Sequence, residues 1–107
     1  MRIKQHERLR IWRERAGLNQ LQAADRLGLT YREYLALEKG RAPATRLRIS
    51  LPRAGSLSRG EECLIMRLRA GKTQAQVAAE IGCCRRWVML MERGEAPADT
   101  LVWYWEH

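Results

Sequence analysis

A chain of 107 residues has room for one ordinary domain or two very small ones. Its 20 Lys and Arg outweigh 12 Asp and Glu, a formal net charge of +8, which favours a polyanionic partner over a basic one. No apolar run reaches membrane length, no signal-peptide pattern opens the chain, and three cysteines stand beside only two histidines. These features argue against a membrane-spanning protein, a disulfide scaffold and a zinc protein, and place the chain in a reducing cytoplasm with no metal and no cofactor.

Residues 1 to 8, MRIKQHER, lead into a first helix that ends near Ala16, with Gly17 as its stop. Leu9, Trp12 and Ala16 fall on one stripe of that helix and are expected to pack inward. Arg2, Lys4, Arg8 and Arg10 lie on or ahead of it, where they meet either phosphates or solvent; His6 has no evident role.

Asn19 with Gln22 forms a capping-box variant that opens a second helix through LQAADRL. Leu21, Ala24 and Leu27 share a face at helical spacing, and Gly28 ends the segment, since a tight turn favours a positive φ. Thr30 with Glu33 opens the next helix, Tyr31 to Lys39, and Gly40 closes it. Thr45 to Leu51 is expected as a short fourth helix with Leu47 and Leu51 inward, stopped by Pro52. Arg53 to Leu57 is the linker, spanning at most about 17 Å, and Ser58 with Glu61 opens the following helix.

From there the chain repeats itself, 54 residues on. Arg13 aligns with Arg67, Gly17 with Gly71, Gln20 with Gln74, Gly28 with Gly82, Glu38 with Glu92, Gly40 with Gly94 and Pro43 with Pro97. Such self-similarity means one structural unit used twice. Thr73 and Gln76 replace the Asn19 box, and Ala75, Ala78 and Ile81 replace the apolar face. Cys84 stands where Thr30 does, so the later helix begins with a poorer cap. Cys63 and Cys83 align with Leu9 and Leu29 and read as small core hydrophobes; a redox role for Cys83 and Cys84 is the sharper alternative. Asp99 is placed to cap a last short helix, in which Trp103 and Trp105 either close the core or form a self-association surface.

The copies differ in charge. Residues 1 to 54 hold thirteen Lys or Arg against five Asp or Glu, whereas residues 55 to 107 hold seven of each. The basic copy is suited to neutralising phosphates, with an affinity that falls steeply as salt rises.

The stretches WRERAGLNQLQAADRLGLTYREYLALEKGRAP and, more loosely, MRLRAGKTQAQVAAEIGCCRRWVMLMERGEAP resemble the helix-turn-helix domain of the phage Cro and repressor family, also called XRE-like. Trp12 departs from that pattern in the first copy, and Cys83-Cys84 and Met89-Leu90 in the second. The resemblance implies an all-α fold of two tandem lambda-repressor-like helix-turn-helix units, residues 1–52 and 58–107. It implies no enzymatic activity and a double-stranded DNA partner, with the last helix of each motif in the major groove. Tyr31, Arg32, Ala36, Arg85, Arg86 and Leu90 would then meet base edges, with Leu35 and Met89 also outward and Tyr34, Leu37, Val88 and Met91 inward. Gln20, Lys39, Arg41, Arg46, Arg48, Gln74 and Arg93 would meet phosphates. The pairs Arg13 with Glu38 and Arg67 with Glu92 would be structural ion pairs.

The expected function is that of a small phage or mobile-element regulator, most simply a repressor. The alternative is an adaptor, an antitoxin or viral packaging component, in which the neutral second copy contacts a protein partner or a second chain.

Overall fold

The computed structural model describes residues 2–43, 47 and 49–107. They form seven α-helices and no strand: α1 (Gln5–Ala16), α2 (Gln20–Leu27), α3 (Tyr31–Glu38), α4 (Arg59–Arg69), α5 (Gln74–Ile81), α6 (Arg85–Arg93) and α7 (Asp99–Glu106). The fold is all-α. The chain divides into two compact units, Met1–Ser56 and Leu57–His107.

Side-chain caps set most of the helix starts. Asn19 Oδ1 accepts from the Gln22 N–H at 2.8 Å while Gln22 Oε1 accepts from the Asn19 N–H at 2.9 Å. Thr30 with Glu33, Ser58 with Glu61 and Thr73 with Gln76 close the same reciprocal pair at α3, α4 and α5. At α1 only half of the device is present, with Glu7 Oε1 accepting from the Lys4 N–H at 2.9 Å. Cys84 starts α6 with no side-chain hydrogen bond. Between α2 and α3, and between α5 and α6, the backbone reverses through Gly28 at φ 68° and Gly82 at φ 78°, left-handed values that cost other residues steric strain.

The cores of the units are built from matching positions. Leu9, Ala23, Ala24, Tyr34 and Leu37 form one; Cys63, Val77, Ala78, Val88, Met91 and Leu101 form the other. Volume is traded within the set: Val88 is smaller than Tyr34, and Val77 larger than Ala23, as close packing of two different sequences on one framework requires.

Several expected faces are corrected. Leu21 is 57 % exposed, and α2 buries Ala23 and Ala24 instead. Ala75 likewise faces out while Val77 and Ala78 go in. The eight-residue α2 and α5 present a narrow inner face next to a sharp turn, so the buried stripe is shifted from the simple i, i+3 pattern. In α1, Leu9 and Ile11 are buried, Trp12 is half-buried against the core, and Ala16 is exposed.

The expected helix at Thr45 to Leu51 is not seen where the chain is described: Leu47 and residues 49–51 are non-helical, although Leu47, Ile49 and Leu51 all pack on the first core. The start of that stretch, with Arg46 and Arg48, lies outside the described residues. Asp99 is the first residue of α7 rather than its cap, a place taken by Ala98 without a side-chain bond. No helix among the described residues is long and apolar enough to cross a membrane.

Candidate nucleic-acid interface

Each unit carries one polar network in the same places. In the first, Arg13 Nε and Nη2 donate to Glu38 Oε2 and Oε1 at 3.0 and 2.9 Å, Nη1 donates to the Leu18 carbonyl at 3.2 Å, and Gln20 Nε2 donates to Glu38 Oε1 at 3.3 Å. In the second, Arg67 Nε and Nη2 reach Glu92 at 2.7 and 3.1 Å, Nη1 reaches the Lys72 carbonyl at 3.1 Å, and Gln74 Nε2 reaches Glu92 Oε1 at 3.0 Å. A guanidinium held on both prongs and at its third nitrogen ties α1 or α4, the turn after it, and the end of α3 or α6 into one piece.

The electrostatics of the first network follow from burial opposed by pairing. Desolvation alone would raise the Glu38 carboxyl, but the hydrogen bonds from Arg13 and Gln20 and the Arg13 charge hold it below its ordinary value. Burial likewise acts to lower the Arg13 guanidinium, and Glu38 more than reverses it. Tyr34, fully buried with its hydroxyl outside normal hydrogen-bond geometry to any partner, is pushed up by burial and then by the Glu38 charge.

Braced in this way, α3 turns Tyr34 and Leu37 inward and presents Tyr31, Arg32 and Lys39 to solvent, with Leu35 and Ala36 half-exposed and Arg41 exposed just beyond. On α6, Val88 and Met91 are buried, Arg85, Arg86, Trp87 and Arg93 are exposed, and Met89 and Leu90 are half-exposed. Glu33 is committed to the cap of α3: the Thr30 backbone and side-chain hydrogen bonds hold its carboxyl below the ordinary range. Gln20 and Gln74 are half-buried and spend one amide hydrogen each on the network; Tyr31 Oη stands 3.5 Å from Gln20 Oε1.

Two arginines set near the candidate surface are occupied elsewhere. Arg8 donates to the carbonyls of Pro52 and Leu51 at 2.7 and 3.1 Å, which pins the connecting segment to α1. Arg10 bonds Glu14 at 2.8 Å and lies 3.7 Å from Glu38. No sequence motif announces these carbonyl partners, because the acceptors are backbone atoms about forty residues away in the chain. His6 also has a place: its ring lies beneath the Gly40 turn, where a Cβ on residue 40 would stand 2.9 Å from Nδ1.

The cysteines divide by exposure. Cys63 is buried, and desolvation, then Glu92 and Glu62, push its thiol up to about 11, so it is unreactive at neutral pH. Burial also raises Cys83, while Cys84 is exposed at the start of α6. Among the described residues no group of three or more His, Cys, Asp and Glu gathers in a metal-binding arrangement. Comparison with protein-family models, with curated proteins and with solved structures found no match.

Proposed function

We propose that the chain is a sequence-specific double-stranded DNA-binding regulator, a small repressor of the kind carried by phages or mobile elements, acting in the cytoplasm. Its two units are tandem XRE-like helix-turn-helix modules, with α3 and α6 as the groove-entering helices. The single observation that carries the reading is the repeated Arg-Glu-Gln network, which fixes two short helices with arginines exposed in their first turns.

Arg32, Arg85 and Arg86 have the fork geometry that guanine O6 and N7 accept. Tyr31 and the half-exposed Ala36 and Leu90 complete the base-facing surface, and the small apolar pair suits thymine methyl groups. Gln20 and Gln74 each keep a second amide hydrogen, so one side chain both braces its helix and donates to a phosphate at the start of α2 or α5. Lys39, Arg41 and Arg93 supply further phosphate contacts, together with Arg46 and Arg48. No step of chemistry, cofactor or metal enters this function.

A second reading is favoured by a specific observation. Trp87, 45 % exposed on α6, and the zero net charge of residues 55 to 107 make the second unit less like a base reader and more like a protein contact. In that reading the chain is an adaptor, an antitoxin or viral packaging component, that holds DNA with the first unit alone.

Selection of bound duplexes from a random pool separates the two. Enrichment of two unlike half-sites supports DNA reading by both units, one half-site supports the adaptor, and no enrichment at low salt contradicts both.

A further inference from the structure

The segment that joins the two repeats is not a loose tether. Leu51 packs on the first core, and from there the chain follows α1: Arg8 Nη2 donates to the Leu51 carbonyl at 3.1 Å, Arg8 Nε to that of Pro52 at 2.7 Å, and Arg15 Nη2 to that of Ser56 at 2.9 Å. Between these anchors the segment tightens on itself. The Ser56 N–H and hydroxyl both donate to the Arg53 carbonyl, at 2.9 and 2.8 Å, across a single 3-10 turn at Ala54–Ser56. Arg8 and Arg15 stand two helical turns apart, about 10 Å along one face of α1, so the connector runs beside that helix in the same direction.

Arg8 is not part of the framework that the repeats share. Its position in the second copy is taken by Glu62, a carboxylate with nothing to donate to a carbonyl, and that copy ends in α7 rather than in a connector. With the connector held as far as Ser56, Leu57 alone separates it from Ser58, the cap of α4. Unheld, residues 52–57 would form a tether reaching about 20 Å. That slack equals about six base-pair steps of about 3.4 Å each.

We propose that Arg8 and Arg15 are positioning residues that make the connector a spacer of fixed length, so that the chain accepts two half-sites at one separation and rejects the same half-sites moved closer or apart. This rests on the reading of both units as groove-binding modules. A tether of matched length concentrates the second module at one target, whereas slack spreads it over many separations. Holding the connector in the free protein also removes the entropy cost of ordering it on DNA. A phosphate role for the same two arginines has a different consequence. Their loss would then weaken binding at every separation alike and leave the preference among separations intact.

Two readouts on the full chain test this, one without nucleic acid and one with it. Brief trypsin digestion, followed by mass spectrometry as cleavage after the exposed Arg53, should be at least about tenfold faster in the Arg8→Ala/Arg15→Ala double variant than in the wild type, because cleavage tracks the population of the opened segment. In selection from a random duplex pool, the wild type should enrich two half-sites at a single separation, and the double variant the same half-sites over several. Arg15→Ala, which removes one exposed hydrogen bond, should move both readouts the same way by less, and it decides alone if the double variant loses helical circular dichroism. Equal cleavage of wild type and variants, or a single separation kept by variants whose connector is released, overturns the spacer. A wild type that enriches no duplex, or one half-site only, while Arg53 stays protected, contradicts the two-unit reading of DNA and the spacer's role with it.

Discussion

Arg67 and Glu92, 25 residues apart in the chain, meet in a two-pronged ion pair with Nε–Oε2 at 2.7 Å and side chains only 8 % and 1 % exposed. Removing one partner of such a pair leaves the other charge buried without compensation. Arg67→Ala should therefore lower unfolding free energy by about 3 to 5 kcal/mol, and Arg13→Ala, whose pair is slightly more exposed, by a similar or smaller amount. Urea unfolding followed by circular dichroism measures both; a change within error in either refutes the structural role.

The Glu38 carboxyl gives this network a pH signature. Its value is lowered in the folded state, so its contribution is fully present above the ordinary carboxylate range and is lost as pH falls through the depressed folded value. Wild-type stability should decline on acidification below about pH 4.5. Glu38→Gln should lower stability at neutral pH and flatten that decline. A variant with the same acid limb as the wild type would show that other carboxylates control it.

Gly60 reverses an ordinary expectation. Alanine in place of glycine inside a helix usually gains about 1 kcal/mol, but a Cβ here would stand 2.2 Å from the Met91 carbonyl oxygen and 2.8 Å from that of Glu92. Both obstacles are backbone, so α4 and α6 must separate to admit it. Gly60→Ala should destabilise by about 1 to 3 kcal/mol, while Gly55→Ala, where a Cβ meets nothing within 4 Å, should change little. Equal melting temperatures for the two variants would contradict the close approach.

The caps offer a gain. Cys84 holds the extended conformation of an N-cap, φ −90° and ψ 158°, close to that of Thr30 at φ −72° and ψ 158°, but accepts no hydrogen bond from its helix. Cys84→Thr should add about 1 kcal/mol, read as a higher urea midpoint at constant slope.

Much of this framework was legible in the sequence, because it is encoded locally or twice. The Asn19, Thr30, Ser58 and Thr73 boxes each lie within four residues, and their bonds form as the spacing predicts. Arg13 and Glu38 were marked by their recurrence at Arg67 and Glu92, and their pairing was implied by the resemblance to helix-turn-helix domains. What stayed hidden depends on tertiary packing. Periodicity put Leu21 inside, yet the neighbouring Ala23 fits the narrow space that α2 shares with α3. Nothing around Gly60 announces the backbone that crosses it, and the carbonyls that engage Arg8 carry no sequence mark. Trp103 and Trp105 look alike in the chain, and only the direction of α7 sends one outward and the other onto the core.

The central claim is that the first turn of α3 reads base edges. Its most direct test is fluorescence anisotropy of the wild type and Arg32→Ala on the selected duplex and on its single base-pair variants, at several salt concentrations. The wild type should bind with a steep salt dependence, and Arg32→Ala should lose about 1 to 3 kcal/mol of discrimination at one G·C pair while Gln20→Ala weakens every duplex alike. Failure of the wild type to bind any duplex at low salt, or an Arg32→Ala variant that keeps the full base preference, would contradict it.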